Sequence, residues 1–150
     1  MPNTLFTSMH ISAAGLTAQR SRLDIVAENI ANADSTHTKK GGPYRRRQVV
    51  FESSPMGNNR SFLSVFQGSF NQGSLQSVKV SKTIEDQRPF REVYDPDHPD
   101  ADSHGMVKMP NVNTVQEMVD MNSAARSFEA NVTVMEASKR MFLKSLELLR

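Results

Sequence analysis

Apolar residues recur every three or four positions at both ends of this 150-residue chain, and this rhythm is absent from the middle. At the N-terminal end the apolar positions are Leu5, Met9, Leu16, Leu23, Val26 and Ile30, with Ser12 and Gln19 in register. At the C-terminal end they are Met118, Met121, Phe128, Val132, Met135, Phe142, Leu146 and Leu149, with Ala125 and Lys139 in register. This is the a/d spacing of a coiled-coil seam. The ends are therefore predicted to be long helices that pack on each other or on neighbouring subunits.

The spacing predicts one helix over residues 3–32 and a second over 114–150. Thr114 and Glu117 fit a capping box at the start of the second helix, in which each side chain accepts a free backbone amide of the other. Gly15 is the weak point of the first helix, since a lone Gly costs about 1 kcal/mol relative to Ala. Close approach of a neighbouring helix and a simple soft spot both explain it.

The middle of the chain has a different character. Six of the seven Gly and five of the seven Pro fall between Gly41 and Gly105, which excludes long helices there. Short strands are predicted at 48–51, 62–66, 78–84 and 90–94. The predicted fold class is mainly α, with a coiled-coil-like helical domain from residues 1–34 and 112–150. A small domain rich in β-hairpins and loops, residues 35–111, is inserted into it.

Two charged loops are the candidate binding sites of the middle segment. The acidic loop, residues 95–102, is followed by His104 and Gly105, but Asn111 stands where a calcium loop needs Glu. The basic cluster consists of Lys39, Lys40 and Arg45 to Arg47. It lacks the further basic stripe and the aromatic residues of a nucleic-acid site. Both loops are interpreted as solvated, and the acidic loop is available as an electrostatic partner for the basic cluster, in the same chain or in the next.

Composition argues against catalysis. The chain has no Cys and a formal net charge of +2, and it lacks nucleophile-elbow, P-loop and zinc-protease motifs. We therefore expect no catalytic residue, no cofactor, no metal, no small-molecule substrate and no nucleic-acid partner. The N-terminal residues show no cationic start followed by an apolar run, so no cleaved signal peptide is expected.

The segment from Asn29 to Thr36 reads Asn-Ile-Ala-Asn-Ala-Asp-Ser-Thr and resembles the signature that closes the first helix of bacterial flagellar rod and hook proteins. Further stretches resemble the basal-body rod proteins of that family, among them Gly42 to Arg46, Val93 to Asp102 and Gly105 to Asn113. The matching positions are Asn29, Ala31, Asn32, Thr36, Pro110, Asn111, Asn113, Glu117 and Asn131. The resemblance covers the chain except for about residues 53–76.

The resemblance implies a structural subunit of the proximal rod, the drive shaft that crosses the periplasm and transmits torque for motility. It implies export through the flagellar type III apparatus and polymerisation with copies of itself and other rod proteins in a helical tube. The terminal helices, with the apolar seam residues given above, would form the subunit interface, and the middle segment would face outward. Contacts with basal-body ring proteins are left open. The alternative is a cytoplasmic helical-bundle adaptor that binds a partner coiled coil.

Overall fold

The computed structural model describes residues 2–39, 41–55 and 76–148. Two long helices dominate it, α1 from Pro2–Ala31 and α2 from Thr114–Leu148. Their bounds agree with the predicted helices to within two residues. Neither helix combines the length and the apolar character that crossing a membrane requires, as judged over the described residues.

The two helices pack side by side as an antiparallel hairpin. Paired positions are separated by multiples of seven residues in each helix and run in opposite directions: Ser8 with Ser138, Gly15 with Asn131, and Asn29 with Glu117. At the open end of the hairpin, the rings of Phe6 and Phe142 meet edge to face with centroids 5.3 Å apart. The expected pairing of the two terminal helices is therefore confirmed, with a heptad spacing.

Small and polar side chains fill much of the seam between the helices. The buried and half-buried heptad positions of α2 are Glu117, Met121, Ala124, Phe128, Asn131, Met135, Ser138 and Phe142. Half of these coincide with the predicted seam, whereas Glu117, Ala124, Asn131 and Ser138 each lie one residue before a predicted seam position. The apolar pattern missed this rotation because hydrophobicity was taken as the sign of the inner face, and here the inner face needs small side chains.

Gly15 shows why small residues are needed. A Cβ atom built on Gly15 would lie 3.0 Å from the side-chain nitrogen of Asn131, tighter than ordinary van der Waals contact. The glycine therefore permits close approach of α2, and of the two explanations left open for Gly15, the packing one is confirmed.

Within the part of the chain that the structure describes, four strands form two separate antiparallel pairs. Strand β1, Arg47–Pro55, pairs with β2, Gln76–Glu85, with an irregularity between Val50 and Phe51. Strand β3, Arg91–Tyr94, pairs with β4, Met106–Met109. The predicted strands at 48–51, 78–84 and 90–94 are confirmed, whereas β4 was missed. The predicted strand at 62–66 lies outside the described residues.

The strand pairs make the fold mixed rather than mainly α. Both strands of the β1–β2 pair contact α1, so the insertion is packed on the hairpin. The buried apolar side chains outside the helices, over the described residues, are Ala33, Tyr44, Val107 and Pro110. The fold is helix-rich, with a small β part joined to the closed end of the hairpin.

Candidate assembly site

A buried polar cluster joins the end of α1, the loop before β1 and the start of α2. We call it the polar junction; its members are Asn29, Tyr44, Arg46, Asn111 and Glu117. Asn29 and Glu117 have no solvent exposure, although each is highly polar. Buried polar groups are stable only when their hydrogen bonds are satisfied, so these contacts fix how the elements meet.

Asn29 uses every hydrogen-bonding position of its side-chain amide. Its Nδ2 donates to the Arg47 carbonyl and to Glu117 Oε2, both at 2.9 Å. Its Oδ1 accepts from the Arg47 amide at 2.9 Å and from the Tyr44 hydroxyl at 3.0 Å. Because one amide bonds both backbone groups of Arg47, it holds the first residue of β1 against the end of α1.

Burial and the nearby Glu28 carboxylate raise the pKa of Tyr44 to about 12. Both effects oppose formation of a phenolate, the first because a charge is poorly solvated inside the protein. Tyr44 therefore stays protonated over the physiological range and remains a donor to Asn29.

Glu117 accepts on both carboxylate oxygens. Arg46 Nε donates to Oε1 at 2.6 Å, while Oε2 accepts from Asn29. The same guanidinium lies 3.7 Å from Asp120 and 3.9 Å from Asp86. The buried anion is thus paired and hydrogen-bonded, the condition under which a buried charge is tolerated.

The predicted capping box is wrong. The Asn113 side chain accepts from the backbone amides of Val115 and Gln116, so Asn113 is the residue that caps α2. The Glu117 carboxylate is committed to Arg46 and Asn29 instead of the cap. Sequence spacing alone favoured Thr114, because Asn113 and Thr114 are both good capping residues.

The segment just before the capping residue Asn113 is also anchored. Asn111 Oδ1 accepts from the Arg46 amide at 2.9 Å, and its Nδ2 donates to the carbonyls of Asp86 and Arg88 at 3.2 Å each. Pro110, beside it, is buried. Hydrogen bonds from Arg88, above all from its side chain, lower the pKa of Asp86, so the Asp86 carboxylate stays ionised.

The remaining residues of the segment from Asn29 to Thr36 lie where α1 ends. Asn32 donates to the Glu28 carbonyl at 2.8 Å and accepts from the Ser35 hydroxyl at 3.2 Å. The Thr36 hydroxyl donates to Asp100 at 2.7 Å, which ties the acidic loop to the helix end. Ala31 is exposed. Asn131, the last motif position, lies against Gly15 in the middle of the hairpin.

The basic cluster is held by carboxylates other than those of the acidic loop. Arg46 pairs with Glu117, and Arg47 Nη1 lies 2.7 Å from Glu28. Arg45 stacks over the Phe90 ring at 4.3 Å. Within the chain, the ion pairs of Arg46 and Arg47 therefore do not involve residues 95–102, because the chain brings β1 to the closed end of the hairpin. Pairing with the acidic loop of a neighbouring chain stays a prediction. Lys40 lies outside the described residues.

The acidic loop is organised by its own backbone. Asp102 accepts from the amides of Met106 and His104, and these hydrogen bonds lower its pKa. Over the described residues, no group of three or more His, Asp or Glu side chains is arranged to hold a metal ion. The loop is therefore a turn stabilised by side-chain to backbone bonds.

Large apolar side chains lie on the outer surface of the hairpin. Exposure reaches 68% for Val115 and 58% each for Met118 and Val119 near the start of α2, and 88% for Leu148 at its end. Other exposed examples are Phe6, Val134, Met141, Leu143 and Leu146. A folded monomer rarely keeps so many apolar groups on long helices in water, and such surfaces mark interaction sites.

The predicted seam residues divide between the two surfaces. Those that are buried or half-buried are Met9, Leu16, Leu23, Val26, Ile30, Met121, Phe128, Val132, Met135 and Phe142. Met118 and Leu146 are exposed, whereas Leu149 and the side chain of Leu5 lie outside the described residues. The predicted set did not include the exposed apolar residues Val115, Val119, Met141 and Leu143, since they lie off the a/d spacing.

The chain is similar to known flagellar proteins. A family profile described as "Flagella basal body rod protein" matches residues 9–37, and one described as "Flagellar basal body rod FlgEFG protein C-terminal" matches residues 103–148. The flagellar basal-body rod protein FlgC of Bacillus subtilis (strain 168) is 46% identical over 149 residues, covering 97% of this chain and 98% of the relative. This chain belongs to the FlgC family of flagellar basal-body rod proteins.

Two further relatives give the same result. The rod protein FlgC of Borreliella burgdorferi is 44% identical over 97% of this chain and 98% of its own length. That of Escherichia coli O6:H1 is 44% identical over 96% of this chain and 97% of its own. The chain is therefore a structural subunit of the flagellar basal-body rod and not an enzyme, as its sequence predicted, and the adaptor alternative is set aside.

Proposed function

We propose that this rod subunit polymerises in the proximal rod through the outer faces of its helical hairpin. The neighbours are copies of itself and other rod proteins. Exposed apolar side chains carry this proposal, because burying them against neighbours releases about 25 cal/mol per Å² of apolar surface. The hairpin seam, with its small and polar side chains, provides less of that free energy within one chain.

The polar junction gives the subunit the stiffness that a drive shaft needs. It holds α1, α2 and β1 together through hydrogen bonds whose partners are all buried or half-buried. Torque applied to the hairpin is then transmitted to the β part without sliding between the elements. Residues 35–111 form the outward domain of this proposal, and the discontinuous pair 1–34 and 112–150 forms the polymerising domain.

The cellular setting of the proposal is the periplasmic part of the rod. The chain reaches it through the flagellar type III export apparatus without a cleaved signal peptide. A free hairpin with apolar outer faces and a weakly apolar seam is suited to unfolding for passage and to ordering on assembly. Contacts with ring proteins belong to the outward domain.

The test is incorporation into basal bodies, and recovery of swimming, in cells of a motile species from which the gene for their own rod subunit of this family has been deleted. Leu146→Asp places a charge on the outer face of α2 and should abolish incorporation and swimming while export continues. Thr83→Asp, at an exposed position of β2, is the matched control and should swim. Normal basal bodies containing Leu146→Asp would contradict the proposal, and loss of export would show that the substitution acts before assembly.

A further inference from the structure

The outer edge of α1 is a face with few charges. Its exposed positions repeat with heptad spacing and are Phe6, His10, Ala13, Thr17, Arg20, Asp24, Ala27 and Ala31. A helix face that stays in water normally carries many charged side chains. Here one Arg and one Asp stand one turn apart among small and apolar residues.

The outer edge of α2 carries the opposite features. Its N-terminal part has a shallow groove of ≈ 540 Å³, lined by Val115, Met118, Val119, Asn122, Ser123 and Arg126. Glu129 follows one turn later and Leu143 is exposed near the end. This edge thus carries large side chains where the α1 edge carries small ones. Its two charges follow each other along the chain as Arg126 and then Glu129.

Four of the charges on the two edges stand one turn apart in pairs and are available for a partner; Glu136 and Arg140 are further exposed charges, toward the C-terminal end of the α2 edge. Arg20, Asp24, Arg126 and Glu129 are all exposed, and none forms an ion pair with another described residue of the chain. Elsewhere in the hairpin, Arg22 lies 3.3 Å from Asp120, so charged groups near the seam are paired.

One antiparallel register satisfies all of these features together. With Asp24 of one copy beside Arg126 of the next, Arg20 comes level with Glu129. In the same register Ala27 and Ala31 lie beside the groove at Met118 and Val119. Phe6 then reaches Leu143 at the far end. Opposite charges, complementary sizes and an aromatic–aliphatic contact thus arise from a single alignment.

We infer that the α1 outer edge of one subunit binds the α2 outer edge of a second copy of this chain in that register. The inference rests on the proposed polymerising function. Because α1 and α2 are antiparallel within a chain, antiparallel contact between copies leaves both hairpins pointing the same way. Two different surfaces are used, so the contact is heterologous and adds further copies with one polarity, instead of closing a dimer.

The register also fixes the offset between copies. Within one chain, the pairing of Gly15 with Asn131 and Asn29 with Glu117 places Asp24 level with residue 122. Contact with Arg126 therefore displaces the second copy by about four residues, or ~6 Å along the hairpin. A constant offset with one polarity produces a helical array of subunits.

The experiment uses disulfide cross-linking of the full chain, which has no cysteine of its own. The matched double variant Ala27→Cys/Ser123→Cys keeps all four charges and brings the two thiols together across the proposed contact. The control double variant Ala27→Cys/Ala130→Cys moves one thiol by a heptad on the same edge, about 10 Å away. Disulfides need Cα atoms within about 7 Å, so we expect at least about tenfold more cross-linked ladder from the matched pair.

Charge reversal supplies an independent measurement. Asp24→Arg and Arg126→Asp should each weaken self-association by roughly tenfold or more in sedimentation, because like charges then face each other. The double variant should restore association, while helix content stays unchanged by circular dichroism. Equal cross-linking of matched and control pairs, or no recovery in the double variant, would overturn the register. A wild-type chain that never self-associates at high concentration would overturn self-polymerisation as well.

Discussion

Asn29→Asp is the sharpest perturbation of the polar junction, because it changes one buried NH2 group into an oxygen. Asn29 Nδ2 donates to Glu117 Oε2 at 2.9 Å in a site with no solvent exposure. An ionised Asp at this position would place two carboxylates in contact. It would also lose the hydrogen bond donated to the Arg47 carbonyl.

The size of the effect follows from Coulomb's law. Two unit charges about 4 Å apart repel by ~4 kcal/mol at an effective dielectric constant of ~20. At 1.36 kcal/mol per pKa unit, this repulsion raises the pKa of the new Asp by about three, from ~3.9 to ~7. Allowing for attraction to Arg46, we expect a loss of about 2 to 4 kcal/mol in the free energy of unfolding at pH 8. For 150 residues this lowers Tm by roughly 4 to 16 °C.

The pH dependence has a definite sign. The pKa of the new Asp is raised in the folded state, so the unfolded chain loses this proton at lower pH than the folded one does. The charge-dependent part of the loss is therefore absent below about pH 4 and reaches its full size as the pH rises through about pH 7, whereas the loss of one of the two donated hydrogen bonds is present at every pH. Thermal unfolding followed by circular dichroism between pH 4 and pH 8 measures this difference.

Asn122→Asp is the control, since it makes the same chemical change at an exposed position of α2. It should change Tm little and without this pH dependence. If Asn29→Asp matched the control at every pH, the buried bond between Asn29 and Glu117 would have no part in stability, and the reasoning would fail.

Three further predictions concern the hydrogen bonds and packing that hold the subunit together. The pKa of Tyr44 is raised to about 12, so the unfolded chain loses this proton at lower pH than the folded chain and stability should fall between about pH 10 and pH 12. In a titration followed by absorbance at 295 nm, Tyr44 should ionise as a separate step near the top of that range, and Tyr44→Phe should remove the step. Asn113→Ala should cost about 1 kcal/mol in urea unfolding, whereas equal losses for Thr114→Ala would contradict the assigned cap. Gly15→Ala should stabilise the fold, by up to about 1 kcal/mol from helix propensity, only when Asn131→Ala removes the side chain that the new methyl group would press against. Additive effects of the two substitutions in a double-mutant cycle would refute close packing there.

Sequence reasoning located the helices and most of the described strands because their signals are local. Helix α1 and helix α2 follow from apolar spacing, and the Gly and Pro residues of the middle exclude further long helices. Strand β4 was missed because four residues, one of them Lys108, give too short an alternation. The motif residues Asn29 and Glu117 were recognised by resemblance, but their hydrogen-bond partners were not.

Local patterns and motif resemblance were enough to establish that both ends are helical, that they are built to pack, and that the family is that of the flagellar rod. Which face of each helix is the inner one depends on the folded packing, because the seam is selected by side-chain size at Gly15 and Ser138 as much as by hydrophobicity. The same packing sets the partners of Glu117, Arg46 and Asn29. These residues are separated by 17 to 88 positions in the chain, and only folding brings their charges and amides together.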